Sequence, residues 1–449
     1  MYKILLALRY LLKRRITYFA ITAVTLCVFI VVVVMTVMAG LAKDFKERNY
    51  RFVGDCVVGT DSLVGFAYYE DFLTILEKQN FIEAVSPVIR SFALVRSKAT
   101  NQDDAVEIMG IDPSKHSLVT DFANTLSYHR DSIPKAFTLA YDPNLTGCIP
   151  GGDWLRLRYY MSLYGNVADI DQLGFSISCF PLTSRGALAQ AGTDLVDTKT
   201  FYYSDNFDSG LPRVDSALFY LPFDDAQRLC GMGGPTKRIS WLHIKFKPDV
   251  NLDNGCEKVG SLWSEYSREK SGESQAYLLD TVSVQSWKLF RRETIAPMEQ
   301  EQTLMSIMFV FVGITTVFII LVVFYMIISH KSKDIGILKS VGASNADIIQ
   351  LFSSFAFLVG LIGSIIGLFA GWLFLLNINK IEGWLFKNYG FQLWDRSMYA
   401  IGDIPNHVEI HILLIIAVSA IIACLIGAYI PSRQAAKQKI VDTLQVTQL

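Results

Sequence analysis

Four stretches of the chain lack any charged residue and are long enough to cross a bilayer. Residues 16–41 (26 residues), 303–329 and 350–376 (27 each) and 410–430 (21) contain no Asp, Glu, Lys or Arg, and a helical span needs about 20 apolar residues. The first is too long for a removable signal peptide, whose apolar core runs to about 7–15 residues. Between the first two lies a polar excursion of 261 residues, 42–302, large enough for a core of its own in two lobes. Within it, alternating or β-branched runs predict strands at 55–60, 93–96, 105–109, 154–160, 217–221 and 240–246. Helical spacing predicts a helix at 68–79, acids at a helix start predict a short one at 223–229, and the small, polar segment 181–200 reads as an exposed loop. The expected fold class is a mixed membrane protein: four transmembrane α-helices plus a large α+β extracytoplasmic domain inserted between helices 1 and 2.

Charge orients this plan. The segments 1–15, 330–347 and 431–449 hold 11 basic residues against three acids, while the rest of the chain holds 30 against 39. Basic residues collect on the cytoplasmic side of a membrane, so both termini and 330–347 are expected inside, with 42–302 and the loop 377–409 outside. That loop carries Trp384, Trp394 and Tyr399, which suit a membrane–water interface. Composition agrees: 51% of the 449 residues are hydrophobic, 18% are charged and the net charge is −1, which implies no bulk affinity for nucleic acid.

The segment 330–347 has the most internal pattern. Ile335, Leu338 and Val341 recur every third residue, and Gly342 can stop a helix in the left-handed conformation. Ser344-Asn345-Ala346-Asp347 then matches a capping box, which would start the next span. A short surface helix with one apolar face is expected, placed to dock another protein. Small residues at Gly363, Gly367 and Gly371, and at Ser419, Ala423 and Gly427, recur every fourth position. Such faces let helices approach closely, within one subunit or across a dimer.

Other chemistry is excluded. The chain has no G-x-x-x-x-G-K-[ST] and no H-E-x-x-H, its six histidines are scattered, and its seven cysteines show no metal-ligand spacing. No catalytic or metal residue is assigned. Uncharged spans argue against an ion-coupled transporter. Cys56, Cys148, Cys179, Cys230 and Cys256 in the large domain are an odd set, able to hold one or two disulfides in an oxidising compartment or to remain buried thiols.

The sequence KSKDIGILKSVGAS at 331–344 resembles the cytoplasmic segment of FtsX/MacB-type (type VII) ABC transporter permeases, with Asp334 where Glu is usual. Further segments resemble the lipoprotein-releasing (Lol-type) branch: MGIDP (109–113), FDSGLPRVDSALFYLPFDDAQRL (207–229) with its G-x-x-x-x-D element, MEQEQTLMSIMFVFVGITTVF (298–318), IPNHVEIHILL (404–414) and YIPSRQAAKQKIVDTL (429–444), the last with Ile440 where proline is usual. The resemblance implies a permease of the bacterial inner membrane that works by mechanotransmission. It implies that Lys333, Asp334, Ile335, Gly336, Ile337, Leu338, Lys339, Val341, Gly342 and Ala343 couple it to a separate cytoplasmic ABC ATPase dimer, which holds the ATP and Mg; no cofactor is expected on this chain. It implies a second permease copy or a paralogue, a lipoprotein substrate taken from the outer leaflet, and a periplasmic lipoprotein carrier for which the loop 181–200 is the positional candidate. The rival branches are a MacB-like efflux permease, which usually carries its ATPase on the same chain, and an FtsX-like signalling permease controlling a cell-wall hydrolase, which usually has a smaller external domain.

Overall fold

The computed structural model describes residues 15–98, 103–139, 141–160, 173–189, 197–330, 332–390, 404 and 410–437. The basic N-terminus up to residue 14, the tail from 438, and Trp394, Tyr399 and His407 lie outside the described residues. The chain forms two compact units: one is Asp44–Ala296, and the other carries most of the length of the long apolar helices.

In chain order the elements are α1 (Arg15–Val53), β1 (Cys56–Gly59), β2 (Phe66–Ala67), α2 (Tyr69–Glu77), β3 (Ile82–Ser97), β4 (Asp103–Ile111), α3 (Pro113–Val119), β5 (Gly147–Pro150), α4 (Gly152–Tyr160), β6 (Gly174–Cys179), β7 (Asp197–Tyr203), β8 (Leu218–Pro222), α5 (Phe223–Leu229), β9 (Arg238–Ile239), β10 (Trp241–Phe246), α6 (Leu252–Glu269), β11 (Ser283–Ser286), α7 (Arg292–His330), α8 (Ser332–Ser340), α9 (Asn345–Tyr389) and α10 (Ile410–Lys437), with short turns between.

Four of these helices are long and apolar enough to span a membrane: α1, α7, α9 and α10. Their helical structure outlasts their apolar runs. α1 continues to Val53, twelve residues past Leu41, through Lys43, Lys46, Glu47, Arg48 and Arg51. These straight-chain residues are good helix formers in water, and Glu47 and Arg51 pair at 3.6 Å one turn apart. α7 starts at Arg292, well before residue 303. The loop expected at 377–409 is corrected likewise: its first part, through Tyr389 and including Trp384, is the end of α9, which stops at Gly390 in the left-handed conformation (φ 65°). α9 is the central helix, with 39% of its most apolar window buried against 18–22% for the other three.

The second unit is built on a nine-stranded mixed sheet, β11-β1-β10-β3-β4-β8-β5-β7-β6, with β6 also paired to β3. The 16-residue β3 organises it. One edge of β3 pairs with β10 over Ile82–Val88 and then with β6 over Ala93–Ser97, while β4 pairs along Val88–Arg96. Strands β3, β4, β8, β5, β7 and β6 thus form a closed circuit, and β10, β1 and β11 extend from the first half of β3. Phe175, Ile177, Phe201, Phe219 and Trp154 fill the main core. Only the end of β3 is legible in the sequence, because Pro87 lacks an N–H and reads as a break; it sits opposite Leu242 inside the strand.

One predicted element has the wrong type. Residues 154–160, expected as a strand, belong to helix α4. The alternation of apolar and basic residues in WLRLRYY mimics period two. The helix instead places Trp154 edge-on to Phe219 at 4.8 Å, and sets Asp153 and Arg156 3.4 Å apart on one face.

Candidate functional site

α8 lies between two spans and is tied off at its C-terminal end. Gly342 has φ 102°. Its N–H donates to the Lys339 carbonyl and that of Ala343 to the Leu338 carbonyl, both at 3.0 Å. This is the paired closure that a left-handed glycine permits after a helix. The next helix starts at once. The Asp347 N–H donates to Ser344 Oγ (3.2 Å) and the Ser344 N–H to Asp347 Oδ2 (3.0 Å), a complete capping box. The sequence V-G-A-S therefore encodes one stop and one start with every local donor used, so the turn is short and stiff.

The faces of α8 are not those of the predicted apolar stripe. Ile335 is buried (2% exposed) among Ile348 and Phe352 of α9 and Ala435 and Ala436 of α10. Lys339 reaches the same side, its Nζ donating to the Ala436 carbonyl at 2.6 Å, where a cation satisfies a helix C-terminus. Gly336 is buried and Leu338 half-buried. Val341 is 83% exposed and Ile337 54%. The expected face Ile335-Leu338-Val341 is thus split. Steps of three residues turn 300°, so the stripe slips about 60° per step and Val341 stands about 120° away from Ile335. The outward face is Ile337-Val341, spaced by four, continued by exposed Gly342, Asn345 and Ala346 in the turn. Lys333 and Asp334 lie within the helix. Ala343 is half-buried behind Gly342.

The small-residue face of α9 is used inside the chain. A Cβ on Gly363 would lie 2.8 Å from Val24, one on Gly367 2.8 Å from Val28 and the Thr25 carbonyl, and one on Gly371 3.0 Å from Val32. These glycines are a track for α1. In α10 the predicted trio divides. Gly427 faces the Val317 carbonyl and Ile320 of α7 at 2.8–3.0 Å, Ala423 is half-buried, and Ser419 is exposed. The close approach of α10 to α9 is made at Gly360 instead, whose Cβ would meet Cys424 Sγ at 3.0 Å. Among the described residues no group of three His, Cys, Asp or Glu could hold a metal ion.

In the second unit, the G-x-x-x-x-D element has a visible purpose. Gly210 is left-handed (φ 70°), and the buried Asp215 carboxylate accepts from the Gly210 N–H (3.0 Å), the Ser209 N–H (2.9 Å) and Ser209 Oγ (2.6 Å). The segment 181–200 is only partly a loop: residues 197–200 begin β7, which pairs with β6, and 190–196 lie outside the described residues. Its first half is held by Arg238, which sequence reading missed. That guanidinium, 4% exposed, donates to the carbonyls of Val64 (2.8 Å), Thr183 (3.3 Å), Leu182 (2.7 Å) and Gly231 (2.6 Å). Asp205, fully buried, likewise gathers the N–H groups of Ser127, Tyr128 and His129. Apart from Gly231, seven residues from Arg238, these partners lie 55 or more positions away in sequence, so no local signal marks the two sites.

Comparison with known proteins gives this arrangement a context. Residues 306–440 match the family described as FtsX-like permease C-terminal. The lipoprotein-releasing system transmembrane protein LolC of Neisseria meningitidis serogroup B is 22% identical over 453 residues, covering 98% of each chain. LolC of Xylella fastidiosa strain 9a5c is 21% identical over 451 residues, again covering 98% of each. Among solved structures, the periplasmic region of MacB from Actinobacillus actinomycetemcomitans matches with a TM-score of 0.30 at 13% identity, covering 55% of this chain and 95% of that one. α8, its Gly342 stop and the Ser344 cap fall within the matched permease region, and the LolC likeness runs from end to end. The C-terminal part of the chain is thus similar to FtsX-like permeases, and the chain as a whole is similar to LolC-type transmembrane proteins.

Proposed function

We propose that this chain releases lipid-anchored proteins from the outer leaflet of the inner membrane, driven by a separate cytoplasmic ATPase dimer that docks on α8. The observation that carries the reading is the end-to-end likeness to lipoprotein-releasing transmembrane proteins, 98% of either chain. In this reading the termini and 330–347 are cytoplasmic and the Asp44–Ala296 unit is periplasmic, in keeping with the excess of Lys and Arg in the three interior segments. ATP and Mg are held by the partner. The outward Ile337-Val341 face meets an ATPase groove, and the stiff 342–347 turn passes its displacement directly to α9.

The uncharged spans suit the cargo. Each CH₂ withdrawn from lipid costs about 0.8 kcal/mol in water, so an acyl anchor needs an apolar path between helices and an energy source. A second copy or a paralogue supplies the other wall of that path. The exposed apolar residues Phe311 and Phe318 of α7 and Ile415 and Ile422 of α10 fit either lipid or such a partner. A periplasmic carrier receiving the cargo at the connection between β6 and β7 completes the reading.

The test is reconstitution. The chain, its ATPase and its second permease subunit, placed in proteoliposomes with a triacylated lipoprotein, should release that protein into the soluble fraction on adding ATP. ATP-stimulated hydrolysis with no release would overturn the assignment of cargo, and the purified chain alone should hydrolyse no ATP.

A further inference from the structure

Of the five cysteines in the second unit, four meet in two pairs. Cys179 ends β6 and Cys230 follows α5, 51 positions later in the sequence. Both are buried, at 0% and 2% exposure. The backbone beside them runs together: the Leu182 N–H donates to the Cys230 carbonyl at 3.3 Å, and a Cβ on Gly231 would lie 2.9 Å from Pro181. In the structure both are free thiols, and each thiol's nearness to the other, with burial, pushes Cys179 far up.

The second pair joins β1 to α6. Cys56 is buried in β1 opposite Ile244, and Cys256 is half-buried in α6. Phe246 brings them together. Its N–H donates to Asp55 Oδ2 at 2.7 Å, and its ring would lie 2.5 Å from a Cβ on Gly255. Both are free thiols in the structure, and their nearness raises Cys56 and lowers Cys256. Cys148 has no such partner thiol. It is buried in the core with its thiol pushed up by desolvation, which leaves it unreactive.

We propose that Cys56–Cys256 and Cys179–Cys230 are the two disulfides of this unit, leaving Cys148 as its free thiol. The inference rests on the outward placement of the unit proposed above, since stable disulfides belong to oxidising compartments. The oxidant is a disulfide of a donor thiol compound or protein. The thiolate of Cys256, the more accessible and more acidic of its pair, attacks one donor sulfur and expels a thiolate, giving a mixed disulfide. The Cys56 thiolate then attacks Cys256 Sγ and expels the second. Two S–H bonds and one donor S–S bond are lost, one S–S bond and two donor thiols are gained, and the protons pass to the expelled thiolates. Cys179 and Cys230 exchange in the same way before β6 and α5 close over them.

The Cys179–Cys230 link also says where the stiffness of this unit lies. It would staple the base of the connection between β6 and β7 at the point where Arg238 already holds the Leu182 and Gly231 carbonyls.

The test counts thiols in the full-length chain in bacterial membranes. Acid trapping, denaturation and labelling with a polyethylene-glycol maleimide should modify three cysteines (Cys27, Cys148 and Cys424) before reduction and all seven after it. Cys179→Ser and Cys56→Ser should each raise the unreduced count from three to four by freeing one partner. Reduction should lower the unit's melting temperature by about 5–15 °C, as expected for cross-links closing long loops. Protease added to intact spheroplasts reports placement separately. Seven reactive thiols on a protease-accessible unit would overturn the disulfides alone. Seven on a protected unit would overturn the outward placement and the disulfides with it. Linked peptides joining other cysteines would overturn the pairing.

Discussion

His116 and His243 lie ring to ring at 5.8 Å beneath the sheet, both fully buried. Ser86 Oγ meets His116 Nδ1 at 3.3 Å, the aromatic rings of Phe122, Tyr220, Trp241 and Phe290 close around the pair, and the half-buried Arg291 guanidinium adds a positive charge that acts on His243. Burial pushes His116 down from 6.5 to about 3, and burial with its neighbours' charge pushes His243 down as well. Both imidazoles are therefore neutral in the fold and become charged only on unfolding. Their contribution is complete above the unfolded value near 6.5 and is lost progressively as pH falls toward 3. At pH 5, His116 alone should cost about 2 kcal/mol. Melting of the detergent-solubilised chain between pH 7.5 and 5 should show that loss, and His116→Gln should flatten it. Arg238→Met removes four donors from carbonyls packed away from water and should destabilise the unit by about 3 kcal/mol, read as a drop of roughly 6–12 °C in its melting temperature. None of this was legible in the sequence. Arg238 lies 174 positions from Val64 and His116 lies 127 from His243, whereas Ser344 and Asp347 are three apart and could be read directly.

At the scale of elements, α8 shows how local chemistry and packing divide the work. Its stop at Gly342 and the start of α9 at Ser344 followed from sequence, because caps are made by neighbours. Its outward face did not, because which residues turn inward depends on α9 and α10. The division gives opposed predictions. Ile335→Asp should place a carboxylate among Ile348, Phe352, Ala435 and Ala436 and destabilise the helix bundle by about 3 kcal/mol or more, visible as poor recovery in size-exclusion chromatography. Val341→Asp, at an exposed site, should leave recovery unchanged yet abolish ATP-driven release in the reconstituted complex; normal release would remove Val341 from the contact. Ser344→Ala should cost about 1 kcal/mol at the start of α9. In α9, Gly363→Leu would force a side chain into Val24 and should loosen α1 from the bundle, lowering thermal stability without any change in oligomeric state. Helix lengths were misjudged from hydropathy for a related reason: α1 and α9 both run on into charged or polar sequence that is helical for its own propensity.

For the whole molecule, the class of fold was readable because alternation and apolar length survive averaging over many residues. The course of β3 was not, since a strand that changes neighbour from β10 to β6 along one edge has no signature in its own sequence. The way the chain enters and leaves the second unit has a mechanical consequence. β1 and β11 are adjacent and antiparallel, with Cys56 opposite Ser286 and Gly59 opposite Ser283. Both connections therefore leave from the same end of one ladder. Two bonds guard that end: the Trp287 N–H donates to the Asp55 carbonyl at 3.0 Å, and Arg291 Nε to Asn49 Oδ1 at 2.9 Å. A force spreading the two connections would break these two first and then unzip the ladder one pair at a time, at low load. A force driving both connections in the same direction would strain none of them. The unit is thus built to be pushed and turned as one body, and to give way at a known seam if its two connections are pulled apart.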